Sequence, residues 1–142
     1  PVSKWRYSET VDEMRGSKSY FATISSENTV EFGFPYSGSQ RMQIQFRKSP
    51  AFGKDVIFAI ERGQLVCDVY DCLGNIAFDG KTEKLTLARS ADGTSTVGFA
   101  RFPDALSRKF QKSSKVIVEL TFYQEGTRQF VFDTQGLEWP HF

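Results

Sequence analysis

Apolar and polar residues alternate with a period of two along most of this 142-residue chain. Such alternation is typical of β-strands with one buried and one solvated face. Residues 41–47, for example, place Met42, Ile44 and Phe46 on one face and arginines and glutamines on the other. Residues 55–61 are apolar on both faces, which predicts a central strand covered on both sides. The pattern predicts strands at residues 19–24, 29–34, 41–47, 55–61, 64–67, 75–79, 83–88, 95–100, 115–123 and 127–133.

One segment departs from this alternation and predicts a short helix over residues 103–112. Phe102, Leu106 and Phe110 recur at every fourth position, and Pro103 suits the first helical turn. Three basic residues gather toward the end that the helix dipole favours for positive charge. About ten strands and one helix predict an all-β fold, either an antiparallel β-sandwich or a flattened barrel.

Length and charge bound the organisation of the chain and its partners. A chain of 142 residues can bury a core of its own, so residues 1–142 are predicted to form a single β-rich domain. With 18 basic and 17 acidic residues, the net charge of +1 provides no general attraction for nucleic acid or an anionic membrane. No apolar run approaches the roughly 20 residues of a membrane span. We therefore expect a protein partner, no nucleic acid, no transmembrane segment, and a monomer or weak homo-oligomer.

The two cysteines of the chain, Cys67 and Cys72, flank a four-residue loop between two predicted strands. Facing residues of adjacent antiparallel strands lie about 5.5 Å apart at Cα, which is within disulfide geometry. Two free thiols are the alternative. Structural zinc needs four ligands and the chain has one histidine, His141, so neither a metal nor a cofactor is predicted. A Cys67–Cys72 disulfide implies an oxidising compartment, so we expect a periplasmic or secreted protein.

Catalytic motifs are missing from the sequence, which argues against an enzyme. A single histidine leaves little basis for a nucleophile–histidine pair, and none of the common hydrolase, zinc-protease or nucleotide-binding motifs occurs. A pair of carboxylates could still serve a glycoside hydrolase. The candidates for such a pair are Asp12, Glu13, Glu119 and Glu125.

Aromatic residues make up 15% of the chain, and most of them occupy strand positions where a core requires them. Tyr36, Phe52 and Tyr70 instead fall in predicted loops rich in Gly, Pro, Ser or Asp. Aromatic residues in loops are typical contact residues, although each of these could also fold back onto the rim of the core. We predict that these three residues bind a partner.

Both ends of the chain carry a resemblance to a known group of proteins. The segments "WRYSETVDEM" and "TFYQEGTRQFVFDTQGLEW" resemble the terminal signatures of a family of small, largely uncharacterised exported or prophage-associated bacterial β-rich proteins. The resemblance implies an exported protein with one β-rich domain, and it assigns no activity or site. It rests on Trp5, Tyr7, Asp12, Met14, Phe122, Tyr123, Glu125, Gly126, Phe130, Phe132, Asp133, Gly136, Leu137 and Trp139. We expect the two terminal strands to pair and so to bury Trp5 and Trp139.

Together these features predict a non-enzymatic, exported protein-binding module. The first alternative is an inhibitor or immunity protein against a hydrolase of the cell envelope, in which the two aspartates of "CDVYDC" mimic or block a basic site. The second alternative is the glycoside hydrolase with a carboxylate pair.

Overall fold

The computed structural model describes residues 3–35 and 37–142. These residues form eleven strands and one helix. In chain order they are β1 (Arg6–Asp12), β2 (Ser17–Ser25), β3 (Val30–Phe32), β4 (Gly38–Gln40), β5 (Met42–Ser49), β6 (Gly53–Ile60), β7 (Asp71–Phe78), β8 (Lys81–Arg89), β9 (Val97–Ala100), α1 (Pro103–Lys112), β10 (Lys115–Phe122) and β11 (Gly126–Asp133).

Nine of these strands form one antiparallel sheet in the order β1-β2-β5-β6-β9-β8-β7-β10-β11, and β3 pairs with β4 in a small second sheet. The predicted all-β class, the antiparallel pairing and the single short helix are thus confirmed. The helix also has the predicted bounds, since the periodicity and Pro103 both mark it in the sequence. Within the described residues the strand ladder does not close into a barrel, because β1 and β11 lie at opposite ends of the order.

The large sheet nevertheless curls, so that its last strand, β11, contacts the chain that follows β2. Glu27 N–H donates to Val131 O at 2.7 Å, and the Asn28 amide bonds the backbone of Gln129 and Val131 at 3.0 and 2.8 Å. Asn28 therefore satisfies backbone groups on the outer edge of β11 that would otherwise be unpaired within the sheet. These hydrogen bonds join opposite ends of the curled sheet around one hydrophobic core.

Aromatic side chains dominate that core. The Phe46 ring has edge-to-face contacts with Trp5, Phe110 and Trp139 at centroid distances of 5.4, 5.3 and 5.9 Å. Trp5 and Trp139 are both buried, as predicted, but the pairing of the terminal strands is wrong. The two ends of the chain instead meet through side chains, and Trp5 Nε1–H donates to Thr134 O at 3.0 Å.

Three local expectations are also wrong. Residues 64–67 form no strand and make only isolated bridges, Leu65 with Phe122 and Cys67 with Cys72. Phe34 does not share the buried face of its segment, since β3 ends at Phe32 and the Phe34 side chain is exposed. Phe102 does not share the buried face that its recurrence with Leu106 and Phe110 indicates, since it is the N-cap residue before α1 and is exposed, whereas Leu106 and Phe110 are buried.

The strands β1 and β4 were absent from the sequence prediction. Both lack a buried apolar face: β1 is exposed along almost its whole length, and β4 has three residues. Within residues 3–35 and 37–142, no helix has the length and hydrophobicity that crossing a bilayer requires.

Candidate functional site

The structure separates the predicted partner-binding residues. Tyr36 lies outside the described residues. Phe52 and Tyr70 are both exposed, but they lie beside different strands of the large sheet. Phe52 directly precedes β6, whereas Tyr70 directly precedes β7, and β9 and β8 lie between these two strands in the sheet. They therefore belong to two different surfaces.

Tyr70 lies in the disulfide loop, which we define as residues 67–72. The structure brings Cys67 and Cys72 to disulfide distance, with their Cα atoms 4.0 Å apart, as the sequence predicts. The two cysteines also form an antiparallel bridge, and Cys72 is buried in the core. The loop is thus fastened to the body of the sheet at its base.

Asp68 organises the inside of the disulfide loop. Its carboxylate accepts hydrogen bonds from the backbone N–H groups of Asp71 at 2.7 Å and Tyr70 at 2.8 Å. Its own N–H donates to Asp71 O at 2.8 Å. The hydrogen bonds from Asp71 and Tyr70 hold the pKa of the Asp68 carboxyl below its ordinary value, because they stabilise the charged form. Asp68 is therefore an ionised cap for the turn.

Two arginines from other parts of the sheet hold the loop from outside. Arg89 donates to the loop carbonyls, from its backbone N–H to Tyr70 O at 3.3 Å and from Nη1 to Asp68 O at 3.4 Å. Arg101 Nε donates to Asp71 Oδ1 at 2.8 Å, and Arg101 Nη2 reaches Tyr70 O at 3.4 Å. Both loop carboxylates are thus engaged within the protein.

Large apolar side chains nevertheless point outward from this braced loop. Val69 and Tyr70 at its tip are 75% and 74% exposed. At its base, Cys67 and Cys72 face each other, so Val66 and Leu73 form the next facing pair and point to the opposite side of the strands. Both are also exposed. We call Val66, Val69, Tyr70 and Leu73 the loop surface.

Sequence reasoning found part of this site and missed the rest. Tyr70 and the cysteine pair were visible because a loop aromatic and a short C-x4-C spacing can be recognised locally. Val66 was predicted only as a strand residue and Leu73 was not assigned to an element, and the flanking positions of a hairpin were the available signal for both. The contacts of Arg89 and Arg101 carried no local signal, because strand pairing over long sequence separations brings them to the loop.

Phe52 belongs to the turn between β5 and β6. The Arg47 guanidinium lies over its ring at 4.2 Å, and Arg47 Nη2 is held by Asp55 Oδ2 at 2.6 Å. Ser49 Oγ accepts the Phe52 N–H at 3.0 Å. The ring remains 67% exposed, so these contacts orient it without covering it.

The candidate catalytic carboxylates are used locally. Asp12 binds the Arg15 side chain at 2.9 Å and the backbone of the β1–β2 turn, and these hydrogen bonds lower its pKa. Hydrogen bonds from Gln129 and Asn75 likewise lower the pKa of Glu119. Glu125 accepts the Gly33 N–H, and Glu13 lies in an exposed turn. The general acid of a glycosidase needs a raised pKa, whereas the pKa values of Asp12 and Glu119 are lowered, which does not suit either residue to that role.

The described ranges contain no group of three or more His, Cys, Asp or Glu side chains placed to hold a metal ion.

Comparison of the chain with protein-family models, curated proteins and solved structures finds no match.

Proposed function

We propose that this protein is an exported, non-enzymatic binding protein and that its disulfide loop docks into an apolar recess of a partner protein. The observation that carries the proposal is the combination of bracing and exposure in the loop. Its backbone is held by a cysteine pair, Asp68 and two arginines, yet it presents Val69 and Tyr70 to solvent.

The bracing matters because ordering a loop on binding costs free energy. Immobilising side chains and backbone at an interface offsets part of the gain from burying them. Here the order is present before the partner arrives, so burial of the loop surface contributes more fully to affinity. Tyrosine is also enriched among the residues that dominate binding energy, since its ring is large and has few rotatable bonds.

The cysteine pair supports export. A disulfide persists in oxidising compartments and is rare in the reducing cytosol. The resemblance of both terminal segments to exported bacterial β-rich proteins points to the same compartment.

Inhibition of an envelope hydrolase is a special case of this proposal. A rigid loop inserted into a cleft is a common way for one protein to block another. In that case Val69 and Tyr70 would be the inserted groups, because the Asp68 and Asp71 carboxylates are already bound within the protein.

The test uses affinity capture from a cell-envelope extract followed by measurement with the purified partner. The bait proteins are the wild type, the double variant Val69→Ala/Tyr70→Ala, and the matched control Phe102→Ala, which removes an exposed aromatic ring elsewhere. An anchor residue contributes about 2 kcal/mol, so loss of Tyr70 should weaken the Kd about thirtyfold. The control should bind like the wild type.

A second variant distinguishes the contribution of loop pre-organisation to affinity from the contribution of direct side-chain contacts. Cys67→Ser/Cys72→Ser retains the loop surface and should weaken binding less than the double alanine variant, mainly through a slower association or a larger entropy loss. Equal affinity of wild type and Val69→Ala/Tyr70→Ala, with melting temperatures unchanged, would overturn the proposal. Hydrolysis of an oligosaccharide that disappears in Glu125→Gln would replace it with the carboxylate-pair enzyme.

A further inference from the structure

A surface recess lies away from the disulfide loop, between the β1–β2 turn and the β5–β6 turn. It has a volume of about 490 Å³. We call it the hairpin groove; it is lined by Asp12, Arg15, Ser17, Ser19, Phe21, Arg47, Ser49, Pro50, Ala51 and Phe52. We propose that the hairpin groove binds a neutral saccharide of one or two rings.

Apolar walls come from two phenylalanines. Phe21 and Arg47 are directly paired across β2 and β5, so the Phe21 ring lies on the outer face of the sheet beside the guanidinium. The same guanidinium lies over the Phe52 ring and holds it at the rim. Sugar rings have apolar C–H faces that pack against aromatic rings, and two aromatic walls provide such a surface.

The polar part of the groove has fixed charges that cancel. Arg15 is paired with Asp12 at 2.9 Å, and Arg47 is paired with Asp55 at 2.6 Å. An anionic ligand would have to compete with these carboxylates for the arginines, and a cationic ligand would have to compete with the arginines. A neutral ligand can instead use the remaining donors and acceptors without breaking either pair.

Such donors and acceptors are available on the floor of the groove. Ser17 and Ser19 project from the outer face of β2, and within the described residues neither hydroxyl is hydrogen-bonded. Arg47 bonds Asp55 through Nε and Nη2, which leaves its Nη1 donors free of any described partner. Ser49 accepts the Phe52 N–H and retains its own proton to donate. Unpaired hydroxyls beside an oriented guanidinium match the donor and acceptor groups of sugar hydroxyls.

The size of the groove fits this class of ligand. Small-molecule sites typically enclose about 300–1,000 Å³ and combine apolar walls with a few fixed polar groups. The hairpin groove lies inside this range and is open to solvent along one side. Weak binding, with a Kd near 1 mM, is therefore expected for single sugars and short oligosaccharides.

The experiment is a titration of the ¹⁵N-labelled protein followed by NMR. The probes are glucose, galactose, mannose and N-acetylglucosamine, with maltose, lactose and N,N′-diacetylchitobiose as the two-ring forms. We expect saturable shifts for at least one probe, confined to amides near residues 17–21 and 49–53. Phe52→Ala should weaken that binding about fivefold to tenfold, and Ser19→Ala should also weaken it. Phe102→Ala and Tyr70→Ala should leave it unchanged.

Three outcomes would overturn the proposal. The first is the absence of a saturable shift with every sugar of the panel. The second is saturable binding of inorganic phosphate or citrate that Arg15→Ala weakens, which would make the groove an anion site. The third is sugar binding that Phe52→Ala and Ser19→Ala both leave intact. Because Tyr70 serves as a control here, failure of this proposal is distinguishable from failure of partner binding by the disulfide loop.

Discussion

Replacing Phe110 by alanine is expected to lower the free energy of unfolding by about 4 kcal/mol, a large share of the 5–15 kcal/mol typical of a domain. Phe110 lies on the buried face of α1 and is fully buried. Its ring contacts those of Phe78, Phe46 and Trp5 edge to face, at centroid distances of 5.2, 5.3 and 6.3 Å. Truncating a buried phenylalanine costs about 3–5 kcal/mol in lost transfer energy and cavity formation. Each aromatic pair adds about 0.5–1.5 kcal/mol, so the upper half of that range is expected.

The assay is equilibrium unfolding in urea, with the midpoint and the slope fitted separately. Phe102→Ala is the matched control: the same substitution eight residues earlier, at a side chain that is 70% exposed. It should change stability by no more than about 0.5 kcal/mol, as exposed substitutions usually do. The melting temperature of Phe110→Ala should fall by roughly 12 °C for a chain of this length. If Phe110→Ala and Phe102→Ala lose similar stability, α1 does not pack on the aromatic core as described.

Three further predictions concern the loop, the sheet and the dependence on pH. Alkylation under denaturing, non-reducing conditions should leave both cysteines unmodified, and reduction should cost only about 2 kcal/mol because the closed loop is short; two modified thiols would refute the pairing. Gly74→Ala should destabilise the protein by about 1–3 kcal/mol, since the added Cβ would clash with the Glu119 carbonyl oxygen, whereas Gly33→Ala should be nearly silent. Hydrogen bonds from Ser90 and Thr94 lower the pKa of Asp92 from 3.8 to about 2, so the contribution of its carboxylate to stability is complete above about pH 5 and is lost as the pH falls toward 2; an NMR titration midpoint near 3.8 would contradict this.

The proposals also divide the exposed aromatic residues between two surfaces. If both are correct, Tyr70→Ala removes partner binding and preserves sugar binding, while Phe52→Ala does the opposite. A single substitution that removed both would indicate that the two surfaces are coupled, which nothing in the contacts of either site predicts.

Local information was sufficient for much of this fold. Period-two alternation located β5, β8, β10 and β11 because each has one face that must be apolar to be buried, and β6 was located by a run that is apolar on both faces. The helix was found because Pro103 and the fourfold recurrence of apolar residues act within a few residues of each other. The cysteine pairing was predicted for the same reason, since both partners flank one short loop.

Tertiary structure alone decided the features in which distant segments meet. The expected pairing of the terminal strands failed because strand order depends on contacts that span the whole chain, and Trp5 finds Thr134 through a side-chain hydrogen bond. Likewise, no sequence pattern near Tyr70 predicts that Arg89 and Arg101 donate hydrogen bonds to its carbonyl oxygen. The sequence by itself determined most of the segments that become strands and the position of Phe52 and Tyr70 in loops, because alternation and turn chemistry are local. Long-range strand pairing, which no local pattern encodes, decides which of those loops are held by hydrogen bonds from distant residues. It also decides which recesses form between the loops.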